Sequence, residues 1–215
     1  MRNMAKKLIL FCIVVLILVG GGFFYWRDQT DVRKLNKNLP ESVRVVKSLF
    51  SNEYKVVNKI DGYEFKVPDD WRGVSKIKYE NVIDTKSSIK EGIKDFDKNI
   101  ILESHLLIDG LRPLDGLEIR FIKFSNSIDL TTFVEQFQDT YVPYKKTERL
   151  EMIPKIDDFN ISDLNGQKLY TLSKFQTGSE LISDEHYFFS KEDKLYIILH
   201  FNDEFIKQFI TNGKW

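Results

Sequence analysis

The residues whose types could do chemistry begin with three histidines, His105, His186 and His200. The run Asp184-Glu185-His186 could supply metal ligands, together with His200 from a neighbouring strand. Imidazole and carboxylate both bind zinc, but a zinc site needs three or four ligands converging on one point. No compact pair such as HExxH occurs, so the simpler reading is histidines on sheet faces held by hydrogen bonds. A second acidic set is Asp69 and Asp70, just after Pro68, with Asp61 nearby. These could line a cation site, or they could solvate a turn after the proline. Nucleophilic chemistry has no anchor in the chain. GxSxG, a P-loop and GxGxxG are absent, and Ser179 in TGSE has no base partner and reads as a turn. The 32 acids define no constrained pair for acid–base work. The single cysteine, Cys12, lies in an apolar segment, so the body has neither disulfides nor thiol chemistry. Asn160-Ile161-Ser162 fits a glycosylation acceptor but falls inside an expected strand. The expectation is no catalytic residue and no cofactor.

The amino terminus bears on location. Residues Leu8 to Trp26 read LILFCIVVLILVGGGFFYW, without a charge. As a helix they would span roughly 28 Å, near the hydrocarbon thickness of about 30 Å. Arg2, Lys6 and Lys7 precede the run, and Tyr25 and Trp26 sit where an interfacial aromatic belt would. This predicts a cytoplasmic stretch over 1–7, a membrane-spanning signal anchor over 8–26 (Leu8 through Val19 to Trp26), a tether over 27–52 and an exported domain over 53–215. The protein would then be a single-pass cell-membrane protein, with the bilayer as one partner through residues 8–26. The alternative is a cleaved signal peptide with Gly20 and Gly22 before the cut, which would release a secreted protein. Scarcity of cysteine suits an exported domain. Past residue 26 the chain has 29 Lys and Arg against 32 Asp and Glu, so no basic footprint for nucleic acid exists.

The body must position any site, and its patterning is mostly that of strands. Tyr54 to Val67 reads as a hairpin, with Asp61-Gly62 as a type I′ turn that pairs Ile60 with Tyr63 and Lys59 with Glu64. Val56, Ile60, Tyr63, Phe65 and Val67 would share the core face, Pro68 would end the strand, and Trp71 would plug the core. Val43, Val45 and Val46 form a short apolar patch, either linker or edge strand. Further strands are expected at Val74–Tyr79, Ile100–Ile108 and Leu117–Phe124, with a loop over 81–99. Asp129 is an N-cap for a helix from Ile128 to Tyr141, whose stripe is Leu130, Phe133, Val134, Phe137 and Tyr141; Pro143 ends it. Asn165-Gly166 is read as a second type I′ turn, with Asp163 opposite Lys168. Leu195 to Phe201 is apolar on both faces, as a covered central strand would be. A last helix carries Phe205, Ile206, Phe209 and Ile210, with Gly213 as its stop.

This order predicts an α+β fold, a largely antiparallel sheet flanked by helices, preceded by one transmembrane helix. Gly62, Tyr63, Phe65, Pro68 and Trp71, in GYEFKVPDDW, resemble the Gly-aromatic-x-Phe-x-x-Pro-x-x-Trp opening strand of PsbP-like domains. The resemblance covers residues 54–212 by pattern and implies an α-β-α sandwich. It also implies a binding role, since members of that group bind partners and are mostly not enzymes. Function does not transfer with the fold. The expected function is a non-catalytic binding or assembly module with an unidentified protein partner. A metal-dependent hydrolase using His186, His200 and nearby acids is the rival.

Overall fold

Leu195 to Ile198 are all buried, so this strand needs cover on both faces, and the rest of the fold is arranged around it. The computed structural model describes residues 2–48, 53–68, 71, 73–82, 99–111, 116–141, 150–161, 164–175, 178–199 and 203–215. In chain order the elements are α1 (Arg2–Asn36), β1 (Val43–Lys47), β2 (Tyr54–Asn58), β3 (Tyr63–Lys66), β4 (Val74–Asn81), β5 (Ile100–Gly110), β6 (Gly116–Phe124), α2 (Leu130–Tyr141), β7 (Leu150–Ile161), β8 (Leu164–Phe175), β9 (Glu180–Lys191), β10 (Lys194–Leu199) and α3 (Asp203–Asn212). β10 is the middle strand of a seven-stranded sheet ordered β4-β5-β6-β10-β9-β8-β7, and β1-β2-β3 form a separate sheet. The paired strands run antiparallel.

Side chains alternate across β10. Tyr196 and Ile198 enter one core with Leu106, Ile108, Ile119 and Phe121 of the large sheet. Opposite them stand Val43, Val45, Val56, Tyr63 and Phe65 of the small sheet, together with Ile206, Phe209 and Ile210 of α3. Leu195 and Ile197 enter a second core with Phe188 and the α2 stripe Leu130, Phe133, Val134 and Phe137.

The α-β-α sandwich is therefore corrected. The molecule is mainly strand, and one face of the large sheet is covered chiefly by a second sheet. The cause lies in residues 43–47, where Val43 and Val45 are buried and the intervening Arg44 is exposed. That alternation makes a strand, which pairs with β2 from Val43↔Asn58 to Lys47↔Tyr54. These residues belong to the body and not to a tether.

The amino-terminal assignment is corrected as well. Among the described residues no helix is long and apolar enough to cross a membrane, which overturns the membrane-spanning anchor and the single-pass location drawn from it. The helix that contains Leu8, Val19 and Trp26 does not stop at Trp26; α1 runs on through Asp31, Arg33 and Lys34 to Asn36. Its last turns are part of the fold. Val32 is buried and Leu35 packs on the first core. The Asn36 side chain donates from Nδ2 to the Val45 carbonyl (2.9 Å) and accepts the Val45 N–H at Oδ1 (2.7 Å), as a neighbouring strand would.

Both expected hairpin turns are displaced. In the first, Asn58 pairs with Tyr63 and Val56 with Phe65, so the loop is Lys59–Gly62 and not Asp61-Gly62. Gly62 has φ +81°, but Asp61 is not among the described non-glycine residues with positive φ, and a type I′ turn needs both. The register is two residues from the expected one, which preserves the faces but changes the partners. Ile60 becomes exposed, and Glu64 meets Lys55 and Lys214 instead of Lys59. In the second hairpin, Asn160 pairs with Asn165 and Phe159 with Gly166, so Asn165-Gly166 lies inside β8. The connection falls at residues 162–163, outside the described residues, as does Asp163. Lys168 stands across from Asp157 and Tyr187.

Gly166 has a different purpose. A Cβ there would overlap the ring of Phe159, which lies across the glycine on the neighbouring strand. Gly166→Ala is expected to destabilise the protein by about 1–3 kcal/mol by forcing that ring aside. Denaturant unfolding checks this, and Phe159→Ala should relieve part of the clash in the double variant.

The carboxyl-terminal residues close the first core. Glu64 and Lys214 exchange backbone hydrogen bonds of 2.8 and 2.7 Å. The bridge sets Trp215 among Tyr63, Phe65, Phe189, Tyr196 and Phe209, with ring centroids 4.9–6.2 Å apart. Its Nε1 donates to the Ile210 carbonyl at 2.9 Å.

Candidate functional site

Two places gather polar side chains. One is buried between the sheets and the other is open at the amino-terminal end of α2.

The buried one is built by the β2–β3 loop. Asn58 Oδ1 accepts the N–H groups of Ile60 and Asp61 (3.1 Å each), and the Gly62 N–H donates to the Asn58 carbonyl at 3.0 Å. This local bonding shapes the loop, and Asp61 is left only 1% exposed. Asp61 Oδ2 accepts from Asn58 Nδ2 (2.6 Å) and from Ser104 Oγ of β5 (2.7 Å), while Oδ1 accepts from the Tyr79 hydroxyl of β4 (3.2 Å). One carboxylate thus ties the small sheet to two strands of the large one. Burial raises the Asp61 pKa above the ordinary aspartate range, and the three donors and the Lys194 charge pull it back in part. Burial also raises the phenol of Tyr63 well above its usual value, with the Asp61 charge adding to the effect. Tyr79 and Tyr196 shift upward for the same two reasons. The Tyr196 hydroxyl is buried without a hydrogen-bond partner.

These shifts set the pH response. A carboxyl whose folded pKa is raised contributes stability in its neutral form. That contribution is complete below the unfolded pKa and is lost as pH rises through the folded value. The Asp61 contribution is therefore expected to grow as pH falls from neutral toward about 4, the ordinary aspartate value. Stability of the wild type relative to Asp61→Asn should rise over that interval, as read by unfolding at several pH values. The phenols obey the same sign near their own pKa. Spectrophotometric titration above about pH 10 should leave Tyr63, Tyr79 and Tyr196 un-ionised until the chain unfolds.

The open place is a concavity of about 400 Å³ lined by Asp129, Thr131, Asp158, Asn160, Gln167 and Ser190, with Ile128, Leu130 and Gly166. Asp129 stands at the start of α2, where its carbonyl accepts the Phe133 N–H (3.0 Å) and its Oδ2 accepts from Thr132 Oγ1 (2.6 Å). Gln167 reaches across from β8, and its Nε2 donates to Asp158 Oδ1 (2.7 Å) and Thr131 Oγ1 (3.2 Å).

The residues singled out for metal binding do not form one site. Asp184, Glu185 and His186 lie on β9. Neighbouring residues of a strand face opposite ways. Glu185 Oε1 pairs with Lys168 Nζ at 2.8 Å and its Oε2 accepts from Tyr187. His186 lies against Phe137 and Phe188, rings of the second core, on the other face. The side chain of Asp184 and the whole of His200 lie outside the described residues. Among the described residues no group of three or more metal-ligating side chains comes together. Asp69 and Asp70 also lie outside the described residues, whereas Trp71 is buried in the first core. His105 is half-buried, with Nε2 3.3 Å from Glu103 Oε1.

Sequence reasoning placed Asp61 in a two-residue turn, with a possible share in a cation site beside Asp69 and Asp70, and did not single out Asn58, Ser104 or Gln167. The sequence signal for the first was the spacing of Asn58, Asp61 and Gly62, which favours a four-residue Asx-type loop over a two-residue turn. Comparison of the chain with family models, with curated proteins and with solved structures finds no match.

Proposed function

We propose that the body, from β1 onward, is a binding or assembly module for a protein partner and carries out no catalysis. The observation that carries this reading is the closure of the Asp61 cluster. Its carboxylate is buried, both oxygens accept donors from neighbouring strands, and no face is left for a substrate. A perturbed carboxyl marks a reactive site only when a substrate can reach it; here the perturbation comes from a sheet-to-sheet tie. Glu185 and His186, the described members of the metal set, point to opposite faces and so give the hydrolase reading no centre.

The test is photo-crosslinking in cells from single positions distributed over the described surface. The reading expects one discrete crosslinked species, formed from a contiguous set of positions. It is contradicted if no position gives a saturable species. Stoichiometric, tightly held zinc in the purified protein would contradict it as well.

A further inference from the structure

Each sheet has two edges, and an open edge is a row of unpaired N–H and C=O groups. In the small sheet, Asn36 takes both main-chain groups of Val45 on β1, and Lys214 exchanges two hydrogen bonds with Glu64 on β3. In the large sheet, the last turns of α1 lie beside β4. The opposite edge is β7, a 12-residue strand, and among the described residues no strand pairs with its outer side. Pro154 suits that place, because a strand tolerates proline where its nitrogen faces away from the paired neighbour. Ile156 and Asp158, of the same parity, then turn their N–H and C=O outward.

The side chains of β7 say what can pair there. Lys155 and Asp157 are both exposed on one face of the strand, and neither has an ion-pair partner among the described residues. Antiparallel strands set residues of the same face opposite each other. Two copies of β7 related by a two-fold axis must therefore pair with some residue opposite itself. Centred on Pro154, Asp157 stands opposite Glu151. Centred on Lys155, lysine meets lysine, and centred on Asp157 or Asp158, aspartate meets aspartate. Centred on Ile156, Lys155 stands opposite Asp157 twice, Ile153 stands opposite Phe159, and no like charges are opposed. Opposite charges across strands attract and like charges repel, so this register is the favoured one.

We propose that β7 pairs antiparallel with β7 of a second copy of this chain, centred on Ile156, and joins the two large sheets into one. Main-chain hydrogen bonds supply the affinity, and the two Lys155–Asp157 pairs fix the register. Pro154 withholds one donor in each copy, so the association is reversible and concentration-dependent. The inference goes beyond the binding-module reading, which concerns a different protein.

The experiment is sedimentation velocity of the full chain over a range of concentrations. The wild type should form a reversible dimer that weakens at higher salt. Lys155→Asp and Asp157→Lys should each weaken association about tenfold, because each opposes like charges twice per dimer. Both positions are exposed, so the fold should survive. An equimolar mixture of the two variants should associate again, since their heterodimer opposes unlike charges at both places. Ile156→Cys in a Cys12→Ser background should form an intermolecular disulfide on oxidation, because hydrogen-bonded opposite residues lie about 5.5 Å apart at Cα. A wild type that is monomeric at every concentration overturns the proposal. So do single variants that associate as the wild type does, or a mixture that stays monomeric. In the photo-crosslinking, a species of twice the chain mass from positions on β7 belongs to this inference, and a species of any other mass belongs to the protein partner. If the chain is monomeric while such a partner is captured, only this inference falls. If it dimerises and no other partner is captured, only the reading of a different protein partner falls.

Discussion

Asp61→Ala is expected to lower the unfolding free energy by about 3–5 kcal/mol, the range for breaking a buried polar network by removing one member. The substitution strands Asn58 Nδ2, Ser104 Oγ and the Tyr79 hydroxyl, donors from three different strands. Each loses its acceptor inside the protein, so the cost is that of desolvated groups left unpaired and not of one hydrogen bond. Asp61→Asn separates the two causes. The amide oxygen can keep Asn58 and Ser104, its NH₂ can donate to the Tyr79 oxygen, and the buried charge is gone. That variant is expected within about 1 kcal/mol of the wild type near neutral pH. Chemical denaturation of both variants measures the difference, and equal losses would show that the charge, and not the acceptor set, holds the loop.

Trp215→Ala is expected to cost about 3–5 kcal/mol, as large aromatic truncations in cores do. Trp215 touches five other rings drawn from β3, β9, β10 and α3, and the bridge from Lys214 to Glu64 holds it in place. Trp215→Phe should recover part of the loss, because a six-membered ring stays among the five neighbours, while the rest of the indole and its bond to the Ile210 carbonyl are lost. Unfolding midpoints of the two variants check this, with Trp215→Ala well below Trp215→Phe.

The legible parts of the fold were those in which periodicity acts over many residues. The α2 stripe from Leu130 to Phe137 and the two-faced apolar strand at Leu195–Ile198 stand where the pattern puts them, because burial on one or both faces leaves no alternative register. Turns were less legible. Asp61-Gly62 and Asn165-Gly166 both carry the dipeptide favoured in type I′ turns, yet neither is a two-residue turn. At the first, the Asn58 side chain captures two backbone N–H groups and enlarges the loop. At the second, the glycine is selected by the Phe159 ring across the strand, and a dipeptide preference cannot register a long-range neighbour. The small sheet was half legible in Val43 and Val45, but its pairing with β2 is non-local. The amino-terminal helix misled for a related reason. Its apolar run drew attention away from Val32 and Leu35, which join it to the body.

The candidate site was least legible. Histidines and adjacent acids attract attention by type, yet Glu185 and His186 diverge across β9. Asp61, Ser104 and Tyr79 converge from positions 61, 104 and 79, and no local spacing links them. Gln167 is inconspicuous in sequence because its partners, Thr131 on α2 and Asp158 on β7, are distant along the chain.

The account stands on Asp61 being a closed structural tie. The most direct test is the titration of its side-chain carboxyl by ¹³C NMR in the full chain, with Asp61→Asn as the assignment control. The account predicts a midpoint above the ordinary aspartate value of about 4, with the Tyr79 and Ser104 hydroxyl protons protected from solvent exchange. A carboxyl that titrates at or below that value, with rapidly exchanging hydroxyls, would contradict it.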